Sequence, residues 1–199
     1  MKKIVLGSTS PFRKEILNKL KIHFICDKPN IDETALPNES ALQLVERLAI
    51  EKAQAVAKHH DNALVIGSDQ VALCDEHILG KPHTKENAIK QLMSFSGKRV
   101  TFYTGLCVLD SDSGKSHSLV EPFHVYFKTL SKADVARYVD AEMPLNCAGS
   151  FKSEGLGICL FEKLAGDDPN SLVGLPLIKL IHLFEKHGFH VLQAIEQRE

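Results

Sequence analysis

The stretch Ile4-Val5-Leu6-Gly7-Ser8-Thr9-Ser10-Pro11-Phe12-Arg13 decides the class of fold. Three consecutive aliphatic residues closed by a glycine read as a buried strand. Ser10 followed by Pro11 reads as an N-cap with proline at the first helical position, where a missing N–H is no loss. Phe12, Ile16, Leu17 and Leu20 then recur at roughly helical spacing. A strand therefore runs directly into a helix. The same pattern returns at Ala63-Leu64-Val65-Ile66, a buried-type strand ending at Gly67-Ser68-Asp69-Gln70. Between the two, Phe24-Ile25-Cys26 reads as a strand and residues 27–39 as a polar loop. Ser40-x-x-Gln43 is a capping box that opens a helix to about His59.

Downstream, the pattern predicts a hairpin through Asp75-Glu76 and a helix that Thr84 caps and Gly97 ends. Val100 to Leu109 and Leu119 to Leu130 read as long strands joined by Ser111-Asp112-Ser113-Gly114. Ser131-x-x-Asp134 caps a helix to about Glu142. Leu156 to Phe161 reads as a strand, and Pro176 to Lys186 as a last helix stopped by Gly188. Crossovers and hairpins together predict an α/β fold around a mixed sheet with flanking helices. No linker, repeat or low-complexity segment interrupts residues 1–199, which read as a single domain.

Composition narrows the function classes. Lys and Arg number 24 against 25 Asp and Glu, so the chain lacks the positive excess on which general duplex binding depends. No apolar run approaches the roughly 18–20 residues that span a bilayer. The apolar run after Lys2-Lys3 stops at Gly7, which is too short for a signal h-region of roughly 7–15 residues. The five cysteines form no C-x-x-C, and neither they nor the ten histidines show zinc-ligand spacing. Reduced core cysteines in a cytoplasmic protein are the expectation.

Several residues sit where ordinary packing does not call for them. Gly7 to Arg13 brings small hydroxyl residues and backbone N–H groups to a helix start, which suits a phosphate. Arg13 opposes the helix dipole there, and a bound phosphate would compensate; a solvated Arg on a capped helix explains it equally well. Lys52 falls on the apolar stripe of Val45, Ala49 and Val56 and must snorkel, pair or face a ligand. Asp69 closes a buried strand, where a carboxylate can hold a divalent cation or take a proton from water. Asp32-Glu33-Thr34 puts two carboxylates on a loop, and Gly80-Lys81-Pro82 presents a cation on a stiff one. Gly149-Ser150-Phe151-Lys152-Ser153-Glu154-Gly155-Leu156-Gly157 is a glycine-punctuated loop. Cations, carboxylates and a hydroxyl-rich helix start together suit a nucleoside triphosphate with a metal. No G-x-x-x-x-G-K-[ST] is present, so the site is not a P-loop.

The ordered set S-x-S-P-x-R, D-E-T, E-K-A, G-S-D, G-K-P, F-Y-T-G and S-x-E-G-x-G resembles the Maf family of nucleotide pyrophosphatases over residues 3 to about 185. Within it, the chain is most similar to the branch that acts on 7-methyl-GTP. The resemblance implies an elongated mixed sheet with two lobes around a central cleft, similar to the inosine triphosphatase fold. It implies hydrolysis between the α and β phosphates, giving a monophosphate and pyrophosphate, with Mg²⁺ or Mn²⁺. It makes Asp69 the proton acceptor, Glu33 and Asp69 the metal carboxylates, and Ser8, Arg13, Lys52 and Lys81 the phosphate ligands. Phe12, Gln70 and Glu154 occupy the three positions that separate the branches; the dTTP/UTP branch usually carries Arg, Thr and Gln there.

These three side chains suit a cationic purine. Phe12 can stack on 7-methylguanine, Glu154 can accept from its N1–H and N2–H₂ edge, and Gln70 can donate to a carbonyl such as O6. The expected partner is a nucleotide, with neither nucleic acid nor membrane, and a homodimer is left open. The competing expectations are a dTTP/UTP pyrophosphatase and a nucleotide-binding regulator of cell division.

Overall fold

Strands that are aliphatic on both faces need a helical layer on each side. The computed structural model describes residues 2–75 and 77–196 and has that arrangement. In chain order the elements are β1 (Lys3–Gly7), α1 (Pro11–Asn18), β2 (Ile25–Asp27), α2 (Ala41–Ala57), β3 (Ala63–Cys74) and β4 (His77–Leu79). They continue with α3 (Lys85–Ser94), β5 (Arg99–Asp110), β6 (Ser116–Phe127), α4 (Lys132–Glu142), β7 (Phe161–Ala165), α5 (Asn170–Val173), α6 (Leu177–Lys186) and α7 (Val191–Glu196). Short 3₁₀ turns occupy Ala148–Ser150 and Leu156–Leu160. The sheet has the order β2-β1-β3-β5-β6-β7, with β4 paired to β3. Strand β1 is parallel to both neighbours, Val5 lying opposite Ile25 and Val65. Strands β4 and β7 pair antiparallel with β3 and β6. The fold is the expected mixed α/β arrangement.

The chain divides into two compact units. The first comprises Met1–Gln70, Tyr103–Glu121 and Asp168–Glu199; the second comprises Val71–Phe102 and Pro122–Asp167. In the first unit, strand alternation sorts the core into two layers. Val5, Val65 and Cys107 pack with Ala49, Ala53 and Val56 of α2. Ile4, Leu6, Leu64, Ile66 and Leu106 pack on the other face with Ile16 and Leu17 of α1 and Leu180 and Phe184 of α6. In the second unit, Phe151 makes edge contacts with Phe102, Phe127 and Phe161 at centroid distances of 5.5, 5.5 and 5.1 Å.

Two glycines set the depth at which α2 sits. A Cβ on Gly67 would stand 2.0 Å from the Ala49 carbonyl oxygen, and one on Gly105 would stand 2.0 Å from that of Val45. The helix backbone therefore rests on the sheet itself.

Some expectations need correction. Strand β3 does not end at Gly67-Ser68-Asp69 but continues to Cys74; its parallel partner β1 is what ends, at Gly7 opposite Gly67. Leu156 to Leu160 is a 3₁₀ turn, and the strand begins only at Phe161. The cause is local crowding: a Cβ on Gly157 would lie 2.2 Å from the Lys152 carbonyl oxygen, so the chain is folded back on itself there. Helix α2 stops at Ala57, short of His59. Glu76 of the expected hairpin turn lies outside the described residues, although the strands flanking it are paired. Of the five free cysteines only Cys74 and Cys107 are buried; Cys26 and Cys159 are exposed. Among the described residues, no helix is long and apolar enough to cross a membrane.

The seating of α2 gives a direct stability test. Gly67→Ala should cost at least about 2 kcal/mol, because the methyl meets rigid backbone. Gly80→Ala, where nothing lies within 4 Å, should leave stability unchanged. Denaturant midpoints of the two variants measure the difference.

Candidate active site

Residues 67 and 69 share a strand face by the period of two, so Asp69 points to the same side as Gly67, where α2 rests. Three residues beyond Ala49 on that helix comes Lys52. Its Nζ donates to Asp69 Oδ1 at 2.7 Å and lies 3.1 Å from Glu33 Oε1. Lys52 and Asp69 are 5% and 8% exposed, so the pair is withdrawn from water. Of the three options open to a lysine on an apolar stripe, Lys52 takes pairing. Glu33 reaches it from an exposed loop.

Burial pushes the Asp69 carboxyl above its ordinary value of 3.8. The charges of Lys52 and Arg13 pull it back, and the neighbouring Glu33 carboxylate adds to the rise. Asp69 thus holds a proton more readily than a surface aspartate, as a base needs to. Among the described residues, no protein donor is bonded to Oδ2 of Asp69 or Oε2 of Glu33. Two carboxylates with a free oxygen each suit a hard divalent cation that takes its other ligands from water and phosphate. No group of three or more potential ligands gathers among the described residues, so the protein's share of such a site would be these two.

Helix α1 begins as its capping residues dictate. Ser10 Oγ accepts the Arg13 N–H at 3.4 Å, and the Ser10 N–H donates to Ser8 Oγ at 3.1 Å. Ser8 is buried, and Phe12 is 42% exposed, an aromatic face without cover. Arg13 Nε donates to the Gly174 carbonyl at 2.9 Å. This anchors the guanidinium at one nitrogen and leaves both Nη groups unbonded among the described residues. Desolvation lowers the Arg13 pKa, while Asp69 and Glu33 oppose the shift. Arg13 is therefore a half-buried cation beside the carboxylates, unlike the solvated alternative.

Gln70 turns to the opposite sheet face from Asp69. Its Nε2 donates to the Ser171 carbonyl at 2.7 Å and to Thr104 Oγ1 at 2.8 Å. A backbone carbonyl can only accept, which fixes the orientation of the amide. Both N–H bonds are thereby used, and Oε1 remains as the free atom. The expectation that Gln70 donates to a base carbonyl is corrected: what it can offer is an acceptor. Ser68 on the same face donates to the Gly174 carbonyl at 3.0 Å.

Ser8, Phe12, Arg13, Glu33, Lys52, Asp69 and Gln70 all belong to the first unit, and Lys81 and Glu154 to the second. Lys81 is exposed on a loop that α3 holds from both sides. Gln91 Nε2 donates to the Gly80 carbonyl at 3.2 Å and Asn87 Nδ2 to that of Pro82 at 3.1 Å. Burial raises the Cys147 thiol pKa; Lys152 and Lys81 lower it and Glu154 raises it, which places these charges in one neighbourhood of the second unit. Sequence reasoning missed Thr104, Ser171 and Gly174, which fasten Gln70 and Arg13. Two of these act through backbone carbonyls, and a carbonyl leaves no mark in a sequence.

The Maf-like protein family model matches residues 3–187. A 7-methyl-GTP pyrophosphatase of Colwellia psychrerythraea is 66% identical, with 96% of each chain covered. Proteins of the same name from Pseudoalteromonas translucida and Alcanivorax borkumensis are 60% and 56% identical. They cover 96% and 93% of this chain, and 95% and 94% of their own. At greater distance, the structure of the Staphylococcus aureus Ham1 protein is 19% identical with a TM-score of 0.45, over 64% of this chain and 73% of that one.

The pair predicts its own titration. Lys52→Met removes the charge that lowers the Asp69 pKa, so that pKa should rise further above 3.8. Carboxyl ¹³C NMR of wild type and variant across the acid range measures both values.

Proposed function

Because the chain belongs to the Maf-like family, and is a nucleoside triphosphate pyrophosphatase by its relatives, we propose that its substrate is 7-methyl-GTP, cleaved to 7-methyl-GMP and diphosphate with Asp69 as the base. The observation that carries the chemistry is the buried Lys52–Asp69 pair with Glu33 on the same ammonium. The substrate rests on the relatives' names together with Phe12, Gln70 and Glu154.

In this reading, water attacks the α-phosphorus. Its proton passes to the Asp69 carboxylate, which Lys52 holds at Oδ1. The bond from the α-phosphorus to the bridging oxygen breaks, and diphosphate leaves with the electron pair. The free Nη groups of Arg13, the Ser8 hydroxyl, Lys52 and Lys81 bind phosphate oxygens and stabilise charge where it gathers. Glu33 and Asp69 would hold a Mg²⁺ or Mn²⁺ ion, which supplies further neutralisation of the triphosphate. Phe12 stacks on the cationic base, a contact worth on the order of 0.5–2 kcal/mol. Glu154 and Oε1 of Gln70 are acceptors, and 7-methylguanine carries donors at N1 and N2. A pyrimidine lacks both that amidine edge and the positive charge.

The deciding assay is release of diphosphate from 7-methyl-GTP, GTP, UTP, dTTP and CTP with Mg²⁺ or Mn²⁺. Preference for 7-methyl-GTP is expected, with a loss of at least about 100-fold in Asp69→Asn. Preference for UTP or dTTP would remove the base assignment and keep the catalytic one. The pH profile adds a sign. A base works only when deprotonated, so kcat/KM should fall with acidification at a pH above the ordinary aspartate value of 3.8.

A further inference from the structure

Glu154 stands on a loop whose two ends are fastened to one helix of the second unit. On the entering side, the Lys152 N–H donates to the Tyr138 hydroxyl oxygen at 3.0 Å. Lys152 Nζ donates to the Glu142 carbonyl at 2.8 Å and lies 3.5 Å from Glu142 Oε2. On the leaving side, the Leu156 N–H donates to Glu142 Oε1 at 2.9 Å. Tyr138 and Glu142 are one turn apart on α4, so they share a helix face. Between these fastenings, Glu154 itself is exposed, and its carboxylate accepts only from Ser153 Oγ at 3.2 Å among the described residues.

Gly155 confirms how closely the carboxylate sits. A Cβ there would stand 2.8 Å from Glu142 Oε1 and 3.2 Å from Oε2. Its φ of −118° is not left-handed, and the Glu142 carboxylate takes the space that a side chain there would need. The carboxylate of Glu142 occupies the place of a side chain at 155, ties the backbone N–H that follows at Leu156 and faces the Lys152 ammonium that precedes Glu154. A free loop would have to be ordered on binding, at an entropic cost that weakens selection by any group it carries.

We propose that Glu142 is a positioning residue for base selection, holding the 152–156 loop so that Glu154 meets the donor edge of the purine. The proposal rests on the reading of Glu154 as a base contact. It predicts an effect on the choice of substrate, separate from any effect on the chemistry of the first unit.

The test measures kcat/KM for 7-methyl-GTP and UTP, with melting temperatures, in wild type, E142A, E142Q, G155A and E154Q. E142A should lower the preference for 7-methyl-GTP roughly tenfold, the effect of losing a hydrogen bond to a charged group, and leave UTP turnover near wild type. E142Q keeps an oxygen that can accept the Leu156 N–H and should retain most of the preference. In G155A the new methyl takes the carboxylate's space, and the flexible Glu142 side chain can swing away. That variant should reproduce the E142A loss with every functional group still present. Parallel loss on both substrates in E142A and G155A would make Glu142 a merely structural residue and overturn the proposal. It is equally overturned if E154Q removes the preference while E142A and G155A keep it. If E154Q itself leaves the preference intact, the base contact on which the proposal rests fails, and the proposal falls with it.

Discussion

The seating of α2 directly on the sheet is the constraint on which the site depends. Side chains ordinarily hold a helix at a distance from the strands beneath it. At Gly67 and Gly105 there is no side chain, and helix carbonyls occupy the place of the missing Cβ atoms. That descent brings Lys52 level with Asp69 and out of water. Two charges so withdrawn are costly unless each meets the other at hydrogen-bond distance, and at 2.7 Å they do. Lifting the helix would loosen the core on that face and expose the pair together, so stability and site geometry are tied to the same two glycines.

The electrostatic character of the site follows from what surrounds that pair. Asp69 is drawn in opposite directions, by desolvation towards its neutral form and by Lys52 and Arg13 towards its charged one. Arg13 is only partly committed, since one of its nitrogens is fixed on the Gly174 carbonyl and its Nη groups have no hydrogen-bond partner among the described residues. The fold itself holds both cations in place, Lys52 on Asp69 and Arg13 on the Gly174 carbonyl. The turn at Gly174, with φ at +106°, is thus part of the site although none of its side chains is.

Legibility in the sequence tracked the range of the interactions. The start of α1 was legible because capping by Ser10 is settled within three residues. Lys52 stood out because helical periodicity marks it as misplaced, but its partners lie on other elements and left three options open. Strand β3 looked finished at Asp69 because Gly, Ser and Asp are poor strand formers; pairing with neighbouring strands carries it to Cys74. The turn at 156–160 looked like a strand because the crowding at Gly157 that bends it involves the backbone at Lys152. The amide of Gln70 could not be oriented at all, since the carbonyl that orients it is Ser171, far along the chain. The roles of Lys81 and Glu154 came from family resemblance, and spacing alone would have left them as loop residues.

Asp69 and Gln70 are neighbours in the chain, and a strand sends neighbours to opposite faces. Asp69 sits with Lys52 under α2, whereas Gln70 is locked to Thr104 and Ser171 on the other side. A codon change at position 70 therefore rewrites one face of the sheet and leaves the ion pair on the other untouched. Two adjacent positions of one strand thus serve separate hydrogen-bond networks, insulated from each other by the strand's own thickness.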